Sequence, residues 1–77
     1  MASKAQKEYR RAIIGVLEDE GVLTWVEGYG KRHPYFEFHV SGRRIRIAYP
    51  TSPSDSQRGI KNIRSEIRRH IREAREG

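Results

Sequence analysis

A histidine beside two cations is the place in this sequence where acid–base chemistry could be carried out. His33 follows Lys31 and Arg32 in a loop-like segment with two glycines, Gly28–Pro34. Lysine and arginine attract phosphate, and an imidazole exchanges a proton near neutral pH. His33 is therefore the candidate acid or base for phosphodiester cleavage. Because no carboxylate that could orient the ring lies nearby in the sequence, phosphate binding or a backbone contact is the simpler role.

A row of cations in the last third is the second chemical feature. At about 100° per residue, the apolar positions of residues 60–74 form one helical stripe. Lysine and arginine fall on one side of this stripe, whereas Glu66 and Glu73 fall on the other. This sorting of charge predicts a surface for nucleic-acid phosphates. The alternative is a solvated face whose arginine stems cover the sheet edge. The cationic flank comprises Lys61, Arg64, Arg68, Arg72 and Arg75.

The residues expected to bind nucleic acid come from both features. They are Lys31, Arg32, Arg58, Lys61, Arg64, Arg68 and Arg72. The serines at the start of the last helix, Ser52, Ser54 and Ser56, are a further candidate anion site. Asp55 would compete for the same backbone donors there, so we interpret Ser52 or Ser54 as a helix cap.

Composition excludes several classes of protein. The chain has 77 residues, no cysteine and a net charge of +6. This length predicts one domain, residues 1–77, and excludes a multidomain enzyme. Without cysteine there are no disulfides and no thiolate metal sites, and the three histidines lack the spacing of metal ligands, so we expect neither metal nor cofactor. No apolar run is long enough for a membrane span or a signal peptide, which predicts a cytoplasmic protein.

The elements that position these residues follow from periodicity. Six apolar residues at helical spacing predict a first helix that stops at Gly21. A β-branched and aromatic run predicts a strand over Val22–Glu27. The alternating runs Tyr35–Val40 and Arg43–Ala48, joined by Ser41-Gly42, predict a tight hairpin. The stripe of the first helix is Ala5, Tyr9, Ala12, Ile13, Val16 and Leu17, and that of the last helix is Ile60, Ile63, Ile67, Ile71 and Ala74.

The two-residue turn also predicts the register of the hairpin. Pairing Val40 with Arg43 places Phe38 opposite Ile45 on one face and Glu37 opposite Arg46 on the other. A slip of one residue would put aromatic rings against arginines. The predicted fold is α+β, in the order α-β-β-β-α, with a three-stranded antiparallel sheet and two helices packed on one face.

Residues 30–43, GKRHPYFEFHVSGR, resemble the first-loop and hairpin region of double-stranded-RNA-binding domains. In that family a loop with glycine and histidine enters the second strand, and the element order is the same. Where the family has a lysine cluster at the start of the second helix, this sequence has DSQRGIK at residues 55–61. The resemblance implies RNA binding.

The same region is similar to HicA-type toxins, which are small mRNA interferases. They carry a catalytic histidine after a glycine at the start of the second strand, typically as Gly-Ser-His. Here Lys31 and Arg32 separate Gly30 from His33. This resemblance implies that His33 is catalytic, without a metal, and that an acidic protein is the partner. Residues 50–69 also resemble small prophage proteins of unassigned function.

Three functions are expected, in the following order. The first is a small basic module that binds the phosphate backbone of nucleic acid, with RNA ahead of DNA. The second is a HicA-like ribonuclease that uses His33. The third is a phage-type protein-binding adaptor or inhibitor that uses the open sheet face. The outward residues of that face are Tyr35, Glu37, His39, Arg44 and Arg46.

Overall fold

The structure is a computed structural model that describes residues 4–50 and 56–76. Three antiparallel strands form one sheet in the order β1-β2-β3, and both helices cover the same face of it. The predicted α+β class and α-β-β-β-α order are confirmed. The serine positions predicted as caps or as an anion site before the last helix, Ser52 and Ser54, lie outside the described residues. The elements are α1 (Lys4–Asp19), β1 (Val26–Tyr29), β2 (Pro34–Val40), β3 (Arg43–Ala48) and α2 (Ser56–Glu76).

The first helix buries the stripe that its sequence predicts, and all six of those residues are buried. Gly21, with a φ of 78°, ends the helix in the left-handed region. Its N–H donates to the Glu18 carbonyl at 3.1 Å, and the Val22 N–H donates to the Leu17 carbonyl at 2.8 Å. These two bonds form a Schellman cap, which satisfies carbonyl groups at the end of the helix. The side chains of Val22 and Leu17 are both buried, as this cap favours.

The prediction for the first strand was wrong at its start. The predicted strand was Val22–Glu27, whereas β1 is Val26–Tyr29. Val22 is instead used by the helix cap, and the segment that follows it runs unpaired until it meets β2. Trp25 in this segment is half-buried and packs against the core.

The predicted loop Gly28–Pro34 is shorter in the structure. Gly28 pairs with Tyr35, and Tyr29 pairs with Pro34, so both flanks belong to strands. The loop proper is residues 30–33, closed by the Gly30 N–H, which donates to the His33 carbonyl at 2.9 Å. Because Gly28 has no side chain, the ring of Tyr35 can lie over β1 at this position, where a Cβ atom would overlap it.

The hairpin of β2 and β3 has the predicted register. Val40 pairs with Arg43, Phe38 with Ile45, and Glu37 with Arg46. Ser41 and Gly42 have φ angles of 53° and 78°, as a type I′ turn requires. The alternating side chains that point toward the helices are buried, and they are Phe36, Phe38, Val40, Ile45 and Ile47.

The second helix lies parallel to α1 on this apolar face. Ile60 is half-buried, and the rest of the predicted stripe is buried. Gly59, near the start of α2, lies against the Tyr9 side chain, while Arg68 approaches Asp19 at the far end of α1. No helix within residues 4–50 and 56–76 is long and apolar enough to cross a membrane.

Aromatic rings join the elements at the end of the sheet where the helices begin. The ring of Tyr49 stacks on Tyr9, with 6.0 Å between centroids, and lies 5.7 Å from Phe36. The Tyr49 N–H donates to the Pro34 carbonyl at 3.1 Å. Burial raises the pKa of the Tyr49 hydroxyl.

Two helical glycines should respond to alanine with opposite signs. Nothing lies near a Cβ atom built on Gly15, so Gly15→Ala should stabilise the protein by about 1 kcal/mol through helix propensity. A Cβ atom on Gly59 would overlap the buried Tyr9 hydroxyl, so Gly59→Ala should destabilise it by about 1–3 kcal/mol. Urea unfolding measures both changes. The Gly59→Ala penalty should shrink in a Tyr9→Phe background, and an equal penalty in both backgrounds would contradict this contact.

Candidate nucleic-acid interface

A groove of about 350 Å³ runs between α1 and α2. We call it the inter-helix groove. Three guanidinium groups from two helices border it, together with one carboxylate at its end. Its residues are Arg11, Ala12, Gly15, Val16 and Asp19 from α1, and Arg64 and Arg68 from α2.

Two rows of residues at four-residue spacing create this groove. Residues four apart lie above one another on a helix face. Arg11, Gly15 and Asp19 therefore form one row on α1, and Arg64 and Arg68 form the facing row on α2. No atom outside the helix backbone and the chain neighbours lies within 4 Å of a Cβ position at Gly15, so the middle of the groove is open. Cations from both helices thus border one open space.

The carboxylate of the groove binds its neighbouring cation loosely. The closest approach of the Arg68 guanidinium to the Asp19 carboxylate is 4.0 Å, and these side chains are 52% and 78% exposed. Exposed ion pairs with such geometry contribute little, about 0–1 kcal/mol. Arg68 can therefore exchange Asp19 for a phosphate at small cost. Arg11 and Arg64 are exposed, and no carboxylate in the described part of the chain lies within ion-pair distance of either.

Arg75 belongs to the predicted cationic flank but has a structural role. Its guanidinium donates to the backbone carbonyl of Glu20, just beyond α1, and approaches the Glu20 carboxylate at 3.4 Å. Carbonyl groups at the end of a helix need such donors, and a cation there is favoured by the helix dipole. Arg75 therefore ties the end of α2 to the end of α1.

The remaining predicted residues lie outside the groove lining. Lys61 and Arg72 are exposed on α2, about one turn before Arg64 and one turn after Arg68. Arg58 is exposed in the first turn of α2. Together with the groove arginines, Lys61 and Arg72 extend the row of cations along one side of α2.

The loop cations occupy a separate place. Lys31, Arg32 and His33 are all exposed in the loop between β1 and β2. This loop lies at the end of the sheet where Tyr49 joins Pro34 and stacks on Tyr9, which is the end where the helices begin. The structure thus brings Arg64 and Arg68 together with Arg11, and leaves the loop as a second cationic element.

His33 has little of the support that an acid–base catalyst needs. Its backbone carbonyl closes the loop, but within residues 4–50 and 56–76 no carboxylate lies within ion-pair distance of its imidazole. A general acid or base is normally held by such an orienting partner. No three histidine, aspartate or glutamate side chains of the described chain gather where they could hold a metal ion.

Sequence reasoning missed Arg11. The first twenty residues carry equal numbers of basic and acidic groups, so this segment contributes nothing to the net charge. The sequence holds one local indication of Arg11: it lies four residues before a helical glycine, beside the buried stripe. That spacing does not reveal α2 as the neighbour, because the neighbour is set by tertiary packing.

Arg10 is a cation that already has a carboxylate partner. Its guanidinium donates two hydrogen bonds to the Glu27 carboxylate, at 2.7 and 2.9 Å, and so joins α1 to β1. The hydrogen bond to Arg10 lowers the pKa of Glu27, and the same bond raises the pKa of Arg10. Paired in this way, Arg10 offers less charge to a ligand than Arg11.

The open sheet face also pairs its cations. The Arg46 guanidinium lies 4.4 Å from the ring centroid of Tyr35 and donates to the Glu37 carboxylate at 3.1 Å. Arg44 approaches the same carboxylate at 4.0 Å. Two arginines thus share the Glu37 carboxylate, and Arg46 also lies over the Tyr35 ring, which leaves less uncompensated charge than in the groove.

Comparisons of the chain with known protein families, curated proteins and solved structures found no match.

The Arg10–Glu27 pair predicts a pH-dependent contribution to stability. Because folding lowers the pKa of Glu27, the contribution is present above the unfolded-state pKa of about 4.3 and is lost as the pH falls through the folded-state value. Glu27→Gln should cost up to about 1 kcal/mol at pH 7 and progressively less in acid. Urea unfolding across pH measures this. Glu18→Gln, at an exposed position on α1, is the control for loss of a carboxylate outside this pair.

Proposed function

We propose that this protein is a small nucleic-acid-binding module, with RNA ahead of DNA as its ligand, and that phosphates occupy the inter-helix groove. The supporting observation is the convergence of Arg11, Arg64 and Arg68 from two helices on one open groove with one carboxylate. Guanidinium groups bind phosphate through paired, charge-assisted hydrogen bonds.

The length of the cationic flank from Lys61 to Arg72 suits a polyanion better than a single small anion. Lys61 and Arg72 are eleven residues apart on α2. With a rise of about 1.5 Å per residue, they span about 16 Å. Successive phosphates along one strand of a duplex advance about 3.4 Å along its axis, so this row reaches several of them. Contacts of this kind depend on charge and spacing, and they are independent of base sequence.

RNA is placed ahead of DNA because of the element order. Two helices on one face of a three-stranded sheet resemble the arrangement of double-stranded-RNA-binding domains, as does the sequence of residues 30–43. Duplex RNA and duplex DNA of one sequence, compared at equal salt, distinguish the two ligands. Stronger binding of the RNA duplex is expected.

Groove arginines should determine the salt dependence of binding. Each phosphate contact contributes about 0.7–0.9 to the slope of log K against log salt concentration. Arg11→Ala with Arg64→Ala should therefore lower affinity for a short RNA duplex at low salt and reduce the slope by about 1–2. Fluorescence anisotropy over a salt series measures this.

Arg69→Ala is the control, because Arg69 is an exposed arginine of α2 outside the groove. It should leave affinity and slope close to wild type. Because it removes one charge where the groove variant removes two, a loss half as large as that of the groove variant would indicate nonspecific attraction to the whole basic surface. Wild-type binding that is weak at low salt and insensitive to added salt would contradict nucleic-acid binding altogether.

Removing the groove carboxylate should have the opposite effect. Asp19→Asn frees Arg68 and raises the groove charge by one, so RNA affinity at low salt should increase. The folded state should be retained, because the Asp19 side chain is 78% exposed. The same anisotropy titration measures this, and Glu18→Gln provides a charge-matched control. An equal gain in both variants would show that net charge, and not the groove, sets the affinity.

A variant of His33 distinguishes RNA binding from RNA cleavage. Its exposed loop position beside Lys31 and Arg32 favours a contribution to phosphate binding. His33→Ala should weaken RNA binding slightly, and gel electrophoresis should show intact RNA with wild type and variant alike. Cleavage by wild type that disappears in His33→Ala would instead support the ribonuclease function.

A further inference from the structure

The exposed large apolar side chains of residues 4–50 and 56–76 lie on one edge of the sheet. They are Leu23, Val26 and Tyr29, which are 79%, 60% and 65% exposed. All three fall within seven consecutive residues, on β1 or in the segment just before it, which has no regular secondary structure. β1 is an outer strand, so one of its sides has no strand neighbour.

The two edges of the sheet differ in charge. The β3 edge carries Arg43, Arg44 and Arg46, and two copies of it placed side by side would bring arginines together. Such charges protect an edge strand from pairing with itself. The β1 edge carries one charged residue, Glu27, whose carboxylate is already bound by Arg10. The β1 edge therefore lacks the electrostatic protection of the β3 edge.

The hydrogen-bond pattern shows which backbone N–H and C=O groups of β1 do not bond to β2. In antiparallel strands, alternate residues hydrogen-bond to the neighbour, and those between point away. The Gly30 N–H donates to the His33 carbonyl, so two residues earlier the Gly28 and Tyr35 pair is also hydrogen-bonded. The N–H and C=O groups of Glu27 and Tyr29 consequently point toward the open edge.

We propose that residues 23–29 pair with residues 23–29 of a second copy of this chain, antiparallel and with the two-fold axis at Val26, so that the segment just before β1 joins the strand on association. Val26 then faces Val26 of the second copy, and Leu23 faces its Tyr29. Each of the three exposed apolar residues meets an apolar partner. An axis at Glu27 would oppose two carboxylates, and an axis at Gly28 would set Val26 against Gly30. The self-complementary register therefore identifies a second copy as the occupant.

This pairing is independent of nucleic-acid binding and has the opposite salt dependence. Each copy has a net charge of +6, so added salt screens repulsion between copies and strengthens the dimer. The same salt weakens contacts to phosphate.

Cysteine cross-linking tests the register, because the natural chain contains no cysteine. Residues that face each other without hydrogen bonding have Cα atoms about 4.5 Å apart, within the range of about 4.4–6.8 Å for a disulfide. Val26→Cys should form a disulfide-linked dimer under mild oxidation. Ala48→Cys is the matched control, since Ala48 is exposed on the same sheet face at the opposite edge. Val26→Cys should cross-link at least about tenfold faster.

Sedimentation of cysteine-free variants gives the second measurement. Val26→Lys would oppose two ammonium groups at the axis, so it should remove the concentration-dependent dimer of wild type, whereas Ala48→Lys should retain it. Equal cross-linking rates for the two cysteine variants, or a wild-type protein that stays monomeric as concentration and salt increase, would overturn the proposal.

Discussion

The protein has one apolar sheet face, and two helices must share it. The inward side chains of β2 and β3 need cover along their whole length, because a core this small cannot leave large apolar groups in water. Each helix also has a single apolar stripe and must turn it toward the sheet. The helices therefore lie side by side, and the flank of α2 next to its stripe is brought against α1. The groove between them is a consequence of covering one face.

The arginines of this protein have different roles, which depend on the nearest hydrogen-bond acceptor. Arg10 and Arg75 join elements, the first through the Glu27 carboxylate and the second through the carbonyl of Glu20. Arg46 lies over an aromatic ring and binds Glu37. Arg11 and Arg64 have no such acceptor in the described chain and border an open groove. Net charge alone would not separate these roles, whereas the position of each carboxylate does.

The elements that follow local rules could be predicted from sequence. The hairpin register depends on period-two alternation and on a two-residue turn, and both are visible in residues 35–48. The helix stripes are equally local. The start of β1 was missed because Val22 has good strand propensity, yet its N–H completes the cap of α1. Helix ends and strand starts compete for the same residues, and propensity alone does not decide which one wins.

The candidate site could be predicted only in part. The sorting of charge on α2 predicts Arg64 and Arg68 as binding residues, because that pattern lies within one helix. Arg11 was missed because its role depends on which helix packs beside it. The cations of the loop and of the last helix were expected to act together, and of that set Arg64 and Arg68 line the groove.

Amide chemical shifts of the isotope-labelled protein, recorded during titration with a short RNA duplex, test the central claim most directly. Binding in the groove predicts that the largest shifts occur at Gly15, Arg64 and their neighbours on the two helices. The open sheet face, around Glu37 and Arg46, should change little. Shifts concentrated on that sheet face, or no shifts at low salt, would contradict the account.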